Sequence, residues 1–506
     1  MRIAVLSTLA SGGAATGAWR VTRALADYGH ECSFFVLESS GNPLQIPLLS
    51  TDEAFWLPAL FRHWSSLTKP EALTAHSVEL FSDTQTALGI SFPLPEAIHN
   101  ADVVLMRWVA GMLFSPFLLL ALAGKKVVWA LPDSNAFTGG CHYTGMCCSF
   151  QSQCRDCPLL KRSGSDDASA RCFYLKKRLY PLLQPSIVTP SAWLAEEVKT
   201  SALLGNYPVT TIPHPLDMEI FRPPQSRLEL REKLGLSEDA FVILSGCEFL
   251  GNPRKNTKVL FEALSSLAEQ SPALPVVVAL YGYGQAPELA FPVRHFGYMT
   301  DKVAMAELYG AADIFVHTAQ QEAFGLTLCE AQACGTPTLC FPVGGCPETM
   351  LPGKTGFLVT EITSQALVEK LHAAIVNRGG LDGMREAARA FAEKRFNPTA
   401  VATAYTEVFE KAQAAPGLKT SDPLFVELLQ NQIDSLASIF QEDSKYFDSR
   451  IGGVEARLPH LDSRMESFEM RLIEQAKQLE TLRWKLRHPF RWFLQKLFSK
   501  FRKKDV

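Results

Sequence analysis

The sequence predicts an α/β protein built from two doubly wound, Rossmann-like domains that face each other across a cleft. Three observations carry this expectation. Short, continuously apolar segments, such as residues 3–7, 241–245 and 312–317, read as strands buried on both faces of a parallel sheet. Several of them run into glycine-bearing turns and then into segments with helical apolar spacing, the alternation of βαβ units. The chain of 506 residues, 47% hydrophobic and 20% charged, is too long for one core yet ordinary in composition for a globular protein.

In chain order, residues 1–7 have a short apolar core leading straight into a glycine loop, so they read as the first strand rather than a secretory leader. Residues 3–7 and 32–37 flank a helix expected from about Thr16 to Tyr28, with Gly29-His30 as its stop. The loop between them, Ser11-Gly12-Gly13-Ala14-Ala15-Thr16-Gly17, lacks the G-x-G-x-x-G spacing of a nicotinamide dinucleotide site, and no acidic residue closes the second strand. Gly12 and Gly13 are left as backbone that approaches a phosphate, or as a plain tight turn. The longest apolar run, 112–123, contains Pro116 and falls short of a membrane span. Twelve cysteines in a chain without a secretory leader point to a reducing, cytoplasmic compartment.

Five of those cysteines fall within 17 residues, from Cys141 to Cys157, in an insert spanning residues 138–160. Four thiolates satisfy a tetrahedral zinc ion, and Cys141, Cys147, Cys154 and Cys157 are the candidate ligands, with Cys148 left over and His142 a loop residue. The insert has no periodic apolar pattern, so such a metal would be structural. A redox-labile disulfide or an iron–sulfur cluster are the competing readings.

Phe221-Arg-Pro-Pro224 marks a linker, after which residues 241–245 begin a second sheet. Arg254-Lys255 lies in the turn before a helix beginning near Val259. Further on, Gln320-Gln-Glu322-Ala-Phe-Gly325-Leu-Thr-Leu-Cys-Glu330 places two carboxylates around a glycine turn that opens a helix, where unpaired amides and the positive end of the helix dipole suit a phosphate. Phe324, Gly325, Leu326 and Thr327 would supply those amides. Glu322 in the loop suits the hydroxyls of a hexose, and Glu330, about two turns along, those of a ribose. A solvated helix face is the bland alternative. A second strand over 338–343 then ends in another glycine turn, Gly344-Gly345. In open α/β sheets that carboxyl edge is where ligands bind.

Taken in order, Gly12-Gly13, Ile187-Val-Thr-Pro-Ser191-Ala-Trp193, Thr211-Ile-Pro-His-Pro-Leu-Asp217 through Phe221-Arg-Pro223, Arg254-Lys255, Phe296-Gly-Tyr298, the paired glutamates and Gly344-Gly345 resemble the retaining nucleotide-sugar glycosyltransferases of family four (group 1), which have the GT-B fold. The resemblance covers roughly residues 1–412. It implies an acceptor-side domain over 1–215, a donor-binding domain over 216–395 and a crossover helix over 396–415. It further implies transfer of a hexosyl unit from a nucleoside-diphosphate sugar to a hydroxyl of a glycan or lipid-linked acceptor, with retention. In that chemistry Glu322, Lys255 and Arg254 are the catalytic candidates, and Gly12, Gly13, Phe324, Gly325, Leu326, Thr327 and Glu330 hold the donor. No cofactor is expected for catalysis, in keeping with the lack of a D-x-D motif at a matching strand end. A subset of the family carries a similar cysteine knuckle. Two positions depart from the pattern: Arg107 and Pro132 stand where relatives carry histidine. A catalytically silent scaffold, acting through its C-terminal segments, is the rival reading.

Those segments come last. Apolar residues recur at alternating four and three spacing through 420–481, a coiled-coil seam that suits a homo-oligomer, interrupted by Gly452-Gly453 and Pro459. Residues 482–506 carry nine Lys/Arg against the single acidic Asp505, interleaved with Trp484, Phe490, Trp492, Phe493, Phe498 and Phe501. Aromatic side chains beside cations suit an anionic membrane surface better than nucleic acid, for which no fold motif is present. The expected location is therefore cytoplasmic, peripheral at the inner face of the membrane, with a role in cell-surface polysaccharide or lipopolysaccharide assembly as the family analogy.

Overall fold

A computed structural model describes residues 1–8, 12–36, 45–48, 82, 94–110, 116–161, 163–419, 421–424 and 427–428. Two parallel sheets organise it. The first has seven strands in the order β3-β2-β1-β4-β5-β6-β7: β1 Arg2–Ser7, β2 Glu31–Val36, β3 Gln45–Pro47, β4 Val103–Met106, β5 Lys126–Ala130, β6 Ser186–Thr189 and β7 Val209–Thr211. The second has six in the order β10-β9-β8-β11-β12-β13: β8 Phe241–Phe249, β9 Val276–Tyr283, β10 Val293–His295, β11 Ile314–His317, β12 Thr338–Cys340 and β13 Gly356–Leu358. In both, the order reverses beside the first strand of the unit, which opens a crevice at the carboxyl ends of the strands.

The period of two explains why these strands read as unbroken apolar runs. Ala4 and Leu6 of β1 join one core cluster while Ile3 and Val5 join the other. Val242 and Leu244 of β8 likewise part from Phe241 and Ile243. Each sheet is thus covered on both faces, and the central strands β4 and β11 are buried at every position.

Local departures from the expected elements have physical causes. The first helix spans Gly12–Asp27, so the glycine loop is its first turn rather than a separate connection. The strand expected over 338–343 stops at Cys340, ahead of Pro342, which has no amide to give a ladder. Conversely β8 runs on to Phe249, because β9 pairs with it as far as Tyr283, across an irregularity between Gly246 and Phe249.

At the amino end of the central strand β11, Asp313 is buried beneath four arginines: Arg231 at 2.6 Å, Arg227 at 3.0 Å, Arg385 at 3.1 Å and Arg378 at 3.5 Å. The Val242 amide donates to it at 2.8 Å. Burial alone would push this carboxyl up; Arg231, the Val242 amide and Arg227 outweigh it and hold the pKa below the ordinary value. One charge therefore ties helices Arg227–Leu234 and Leu381–Arg395 to the start of β11.

Helix Pro398–Lys411 carries the chain back to the first unit. Its buried positions, Val401, Ala402, Tyr405, Val408 and Phe409, repeat at helical spacing and enter the same cluster as Val21 and Leu25. Leu418, Leu424 and Leu428 also join the first unit's core. Apart from 421–424 and 427–428, the expected coiled-coil segment and the basic aromatic tail lie outside the described residues. Among the described residues, no helix is long and apolar enough to cross a membrane.

Candidate functional site

The carboxyl ends of β8 and β11 bring the turn at Arg254-Lys255 against the loop at 318–325. Backbone bonds stitch the two together: Gln320 N donates to Arg254 O at 2.9 Å, and Thr318 Oγ1 donates to Lys255 O at 3.0 Å. On this frame Lys255 Nζ lies 2.6 Å from Glu322 Oε2, Arg254 Nη1 lies 3.6 Å from the same oxygen, and His317 Nε2 lies 3.7 Å away. Arg254 Nη1 also donates to Gln321 O at 3.1 Å. Burial would raise the Glu322 pKa, but Lys255, then His317 and Arg254, more than offset it and hold the carboxyl down at about 2. The sequence-predicted trio is therefore assembled, as an ionised cluster with cations in excess.

Next to it begins the eight-residue helix Leu326–Ala333. Its N-cap is Gly325 at φ 94°, and no side chain caps it. The first amides with an intrahelical acceptor are those of Leu328 and Cys329, both bonded to Gly325 O. The amides of Leu326 and Thr327 precede them, at the positive end of the helix. Phe324 offers only backbone: its side chain is buried, edge-on to His214 at 5.4 Å and to Phe396 at 6.1 Å. Gly344 and Gly345 serve close approach rather than a ligand, since an added Cβ would overlap the carbonyl oxygens of Glu322 and Ala323. Phe296-Gly-Tyr298 ends in an exposed aromatic row, with Tyr298 stacked on Tyr283 at 4.4 Å and Phe249 following at 5.3 Å.

The second carboxylate is reached from the other unit. Glu330 Oε1 lies 2.5 Å from Arg20 Nη2 on the first helix, and Glu330 Oε2 accepts from Tyr309 at 3.2 Å. Around this contact the crevices of the two sheets close on each other. Ser191 Oγ donates to Ala323 O at 2.8 Å, and the amides of Ala192 and Trp193 donate to the two oxygens of Glu348, each at 2.8 Å. Gly17 faces His214, whose ring carbon would stand 2.9 Å from an added Cβ, and Arg107 Nη2 lies 3.5 Å from His214 Nδ1. Burial, with Arg107 and Arg20, pushes the His214 pKa well down, so the ring is neutral. Among the described residues, nothing stands within 4 Å of a Cβ added at Gly12 or Gly13.

Arg20, His214 and Gly17 were missed as site residues by sequence reasoning. His214 lies inside the recognised Thr211–Asp217 stretch and Gly17 at the end of the glycine loop, but Arg20 carried no signal beyond its place on the first helix.

At the two departures from the family pattern, Arg107 is buried and bonded to Tyr405 Oη at 3.1 Å, and Pro132 lines a small recess together with Trp108, Asp133 and Lys176. Lys176 is fully buried and donates to Asn135 O and Thr138 O, which fixes the start of the cysteine-rich insert.

The expected zinc site finds no support among the described residues. Cys141, Cys147, Cys154 and Cys157 share one neighbourhood, close enough for the other three to raise the pKa of Cys141, and Cys148 is the exposed outlier. Yet among the described residues no three His, Cys, Asp or Glu side chains stand so as to hold a metal ion. Hydrogen bonds and packing organise the insert. Cys154 Sγ accepts from the Gly139 amide at 3.1 Å, the Cys157 amide donates to Asp167 at 2.8 Å, and Cys141 and Cys157 pack on Leu160. Burial pushes the thiols of Cys141 and Cys154 up, to about 12 and about 11.

Comparison with known proteins agrees with this architecture. The family model for glycosyl transferases group 1 matches residues 226–395. A D-inositol 3-phosphate glycosyltransferase from Streptomyces bingchenggensis is 31% identical over 223 residues, covering 40% of this chain and 48% of the relative. One from Catenulispora acidiphila is 36% identical over 169 residues, covering 30% and 38%. The chain thus spans about half or less of the curated relatives it matches. Among solved structures, sucrose-phosphate synthase from Thermosynechococcus elongatus superposes with a TM-score of 0.55 at 16% identity, covering 81% of this chain and 98% of that one. Anabaena HepE in complex with UDP and glucose gives 0.52 at 16% identity, covering 81% and 99%. Residues 226–395 are thus similar to the glycosyl transferases group 1 domain, and the two parallel-sheet units share the GT-B fold of these structures.

Proposed function

We propose that the chain transfers a hexosyl unit from a nucleoside-diphosphate sugar to a hydroxyl of a glycan or lipid-linked acceptor, with retention at the anomeric carbon. The observation that carries this reading is the cluster of Lys255, Arg254 and Glu322 beside the uncapped start of helix Leu326–Ala333. The barrier to such a transfer is negative charge on the departing diphosphate. Lys255, Arg254 and the amides of Leu326 and Thr327 stabilise it without reorganising at the moment of reaction. A diphosphate oxygen then takes the acceptor's proton on the same face, which makes a side-chain base dispensable. Replacement of the relatives' histidines by Arg107 and Pro132 is compatible with turnover on this route. The HepE structures, with UDP and glucose or with UDP-glucose, support a donor of this class.

In the same reading the protein works at the inner face of an anionic membrane through residues 482–506, self-associates through 420–481, and serves cell-surface polysaccharide assembly. The charge and aromatic pattern of the sequence supports the first two, and likeness to WaaG, a lipopolysaccharide glycosyltransferase, supports the third.

A thermal-shift panel of nucleoside diphosphates and their sugars, followed by transfer assays with the donor that binds, tests the proposal. Stabilisation by one diphosphate series together with sugar transfer is the expected result. Binding without turnover in the presence of varied acceptors would favour the silent scaffold instead.

A further inference from the structure

The cysteine-rich insert belongs to the first unit, yet its tip crosses the cleft. Its path is pinned around Tyr143: the Ser134 amide donates to His142 O at 2.9 Å, Thr144 Oγ1 donates to Glu197 Oε2 at 3.0 Å, and the Cys147 amide donates to Thr144 O at 2.9 Å. Gly139 admits the close packing at its base, where an added Cβ would meet Cys154 and Ser169. Held in this way, the Tyr143 ring lies against the guanidinium of Arg254, with Cζ 5.1 Å from the ring centroid. Two residues on, Gly145 abuts Gln321, the residue whose carbonyl oxygen anchors Arg254 Nη1. Burial, reinforced by Glu322, pushes the Tyr143 phenol up, so it stays neutral beside that carboxylate.

A guanidinium that stacks on an aromatic face keeps its N–H groups directed edgewise and loses water from the stacked face. Arg254 is therefore fixed from both sides of the cleft: by Gln321 and Glu322 of its own unit, and by Tyr143 of the other. We propose that Tyr143 is a positioning residue for the donor site, its ring holding Arg254 in register with the diphosphate and covering the Arg254–Glu322 end against water. This rests on the donor reading given above. It also gives the insert a role: it delivers an aromatic side chain from the acceptor unit to the donor's leaving group, so the site is complete only when the two units are closed.

The test uses the full chain and the nucleoside-diphosphate sugar found to turn over. Tyr143→Ala should raise the donor KM about tenfold and increase the share of donor lost to water, with the acceptor KM unchanged. Tyr143→Phe, which keeps the ring, should restore both. An alanine variant with wild-type Tm, donor KM and water loss overturns the inference. Should the alanine variant fail to unfold cooperatively, Tyr143→Phe against Tyr143→Leu makes the same comparison at similar volume, and equal behaviour of that pair overturns it. A wild-type chain that binds no nucleoside diphosphate overturns the proposed function itself; a wild-type chain that transfers sugar while Tyr143→Ala matches it overturns this inference alone.

Discussion

Arg20 and Glu330 meet across the cleft at 2.5 Å, so the carboxylate expected to grip a ribose is already held by a cation from the opposite unit. Tyr309 takes its other oxygen. A charge-assisted bond of this kind fixes the direction of the remaining lone pairs. Arg20→Ala should weaken binding of the cognate nucleoside diphosphate by about tenfold in isothermal titration. Tighter binding in that variant would instead make Arg20 a competitor that the donor must displace.

Lys255→Ala removes the cation nearest to Glu322 and, in the proposed mechanism, a main partner of the leaving group. Turnover should fall about a hundredfold or more while the protein stays folded. Steady-state kinetics beside a circular dichroism melt decide it, and near-normal turnover would refute the assignment.

The low pKa of Glu322 has a consequence for acid stability. Its carboxyl lies at about 2 in the folded chain against an ordinary 4.5, so between those values the unfolded chain binds more protons and stability falls as pH falls. The contribution, on the order of 3 kcal/mol, is fully present above about pH 4.5 and lost toward pH 2. Denaturant titrations at pH 5.5 and at about pH 3 should show this loss in the wild type and a smaller loss in Glu322→Gln.

Asp313 is the shared counter-ion of four arginines, of which Arg231 and Arg385 have guanidinium pKa values lowered chiefly by burial. Asp313→Ala leaves those cations together without their carboxylate, and the second unit should lose about 3–5 kcal/mol of stability. The measurement is the shift in thermal unfolding midpoint, and an unchanged midpoint would show that the network holds little. Activity lost in this variant should track unfolding, because Asp313 lies at the opposite end of β11 from Glu322.

How far the sequence could be read depended on how local each signal was. Residues 241–245 and 312–317 announced strands because period-two burial on both faces leaves unbroken apolar runs. Arg254, Lys255 and Glu322 were brought together by the resemblance to the glycosyltransferase family, and each follows a strand end of the same sheet. Arg20, Tyr143 and Glu348 act across the cleft, where no spacing within either unit constrains them, and their roles stayed hidden. The cysteines are the opposite case: counting thiols picked the correct neighbourhood, but among the described residues no three such side chains stand so as to hold a metal ion. The helix start at Gly12 was misplaced because glycine argued for a loop, while the apolar periodicity that follows gives little weight to a first turn.

Helix Pro398–Lys411 lies on the first unit after the second has been completed, so two strands of chain, 212–226 and 395–398, join the halves. Two crossings close a loop of chain between the units, which a single linker would not. Leu424 and Leu428 then pack on the opposite face of the same unit's sheet. Whatever pulls on the chain just past Leu428 therefore acts first on the half containing Tyr143, not on the half containing Lys255.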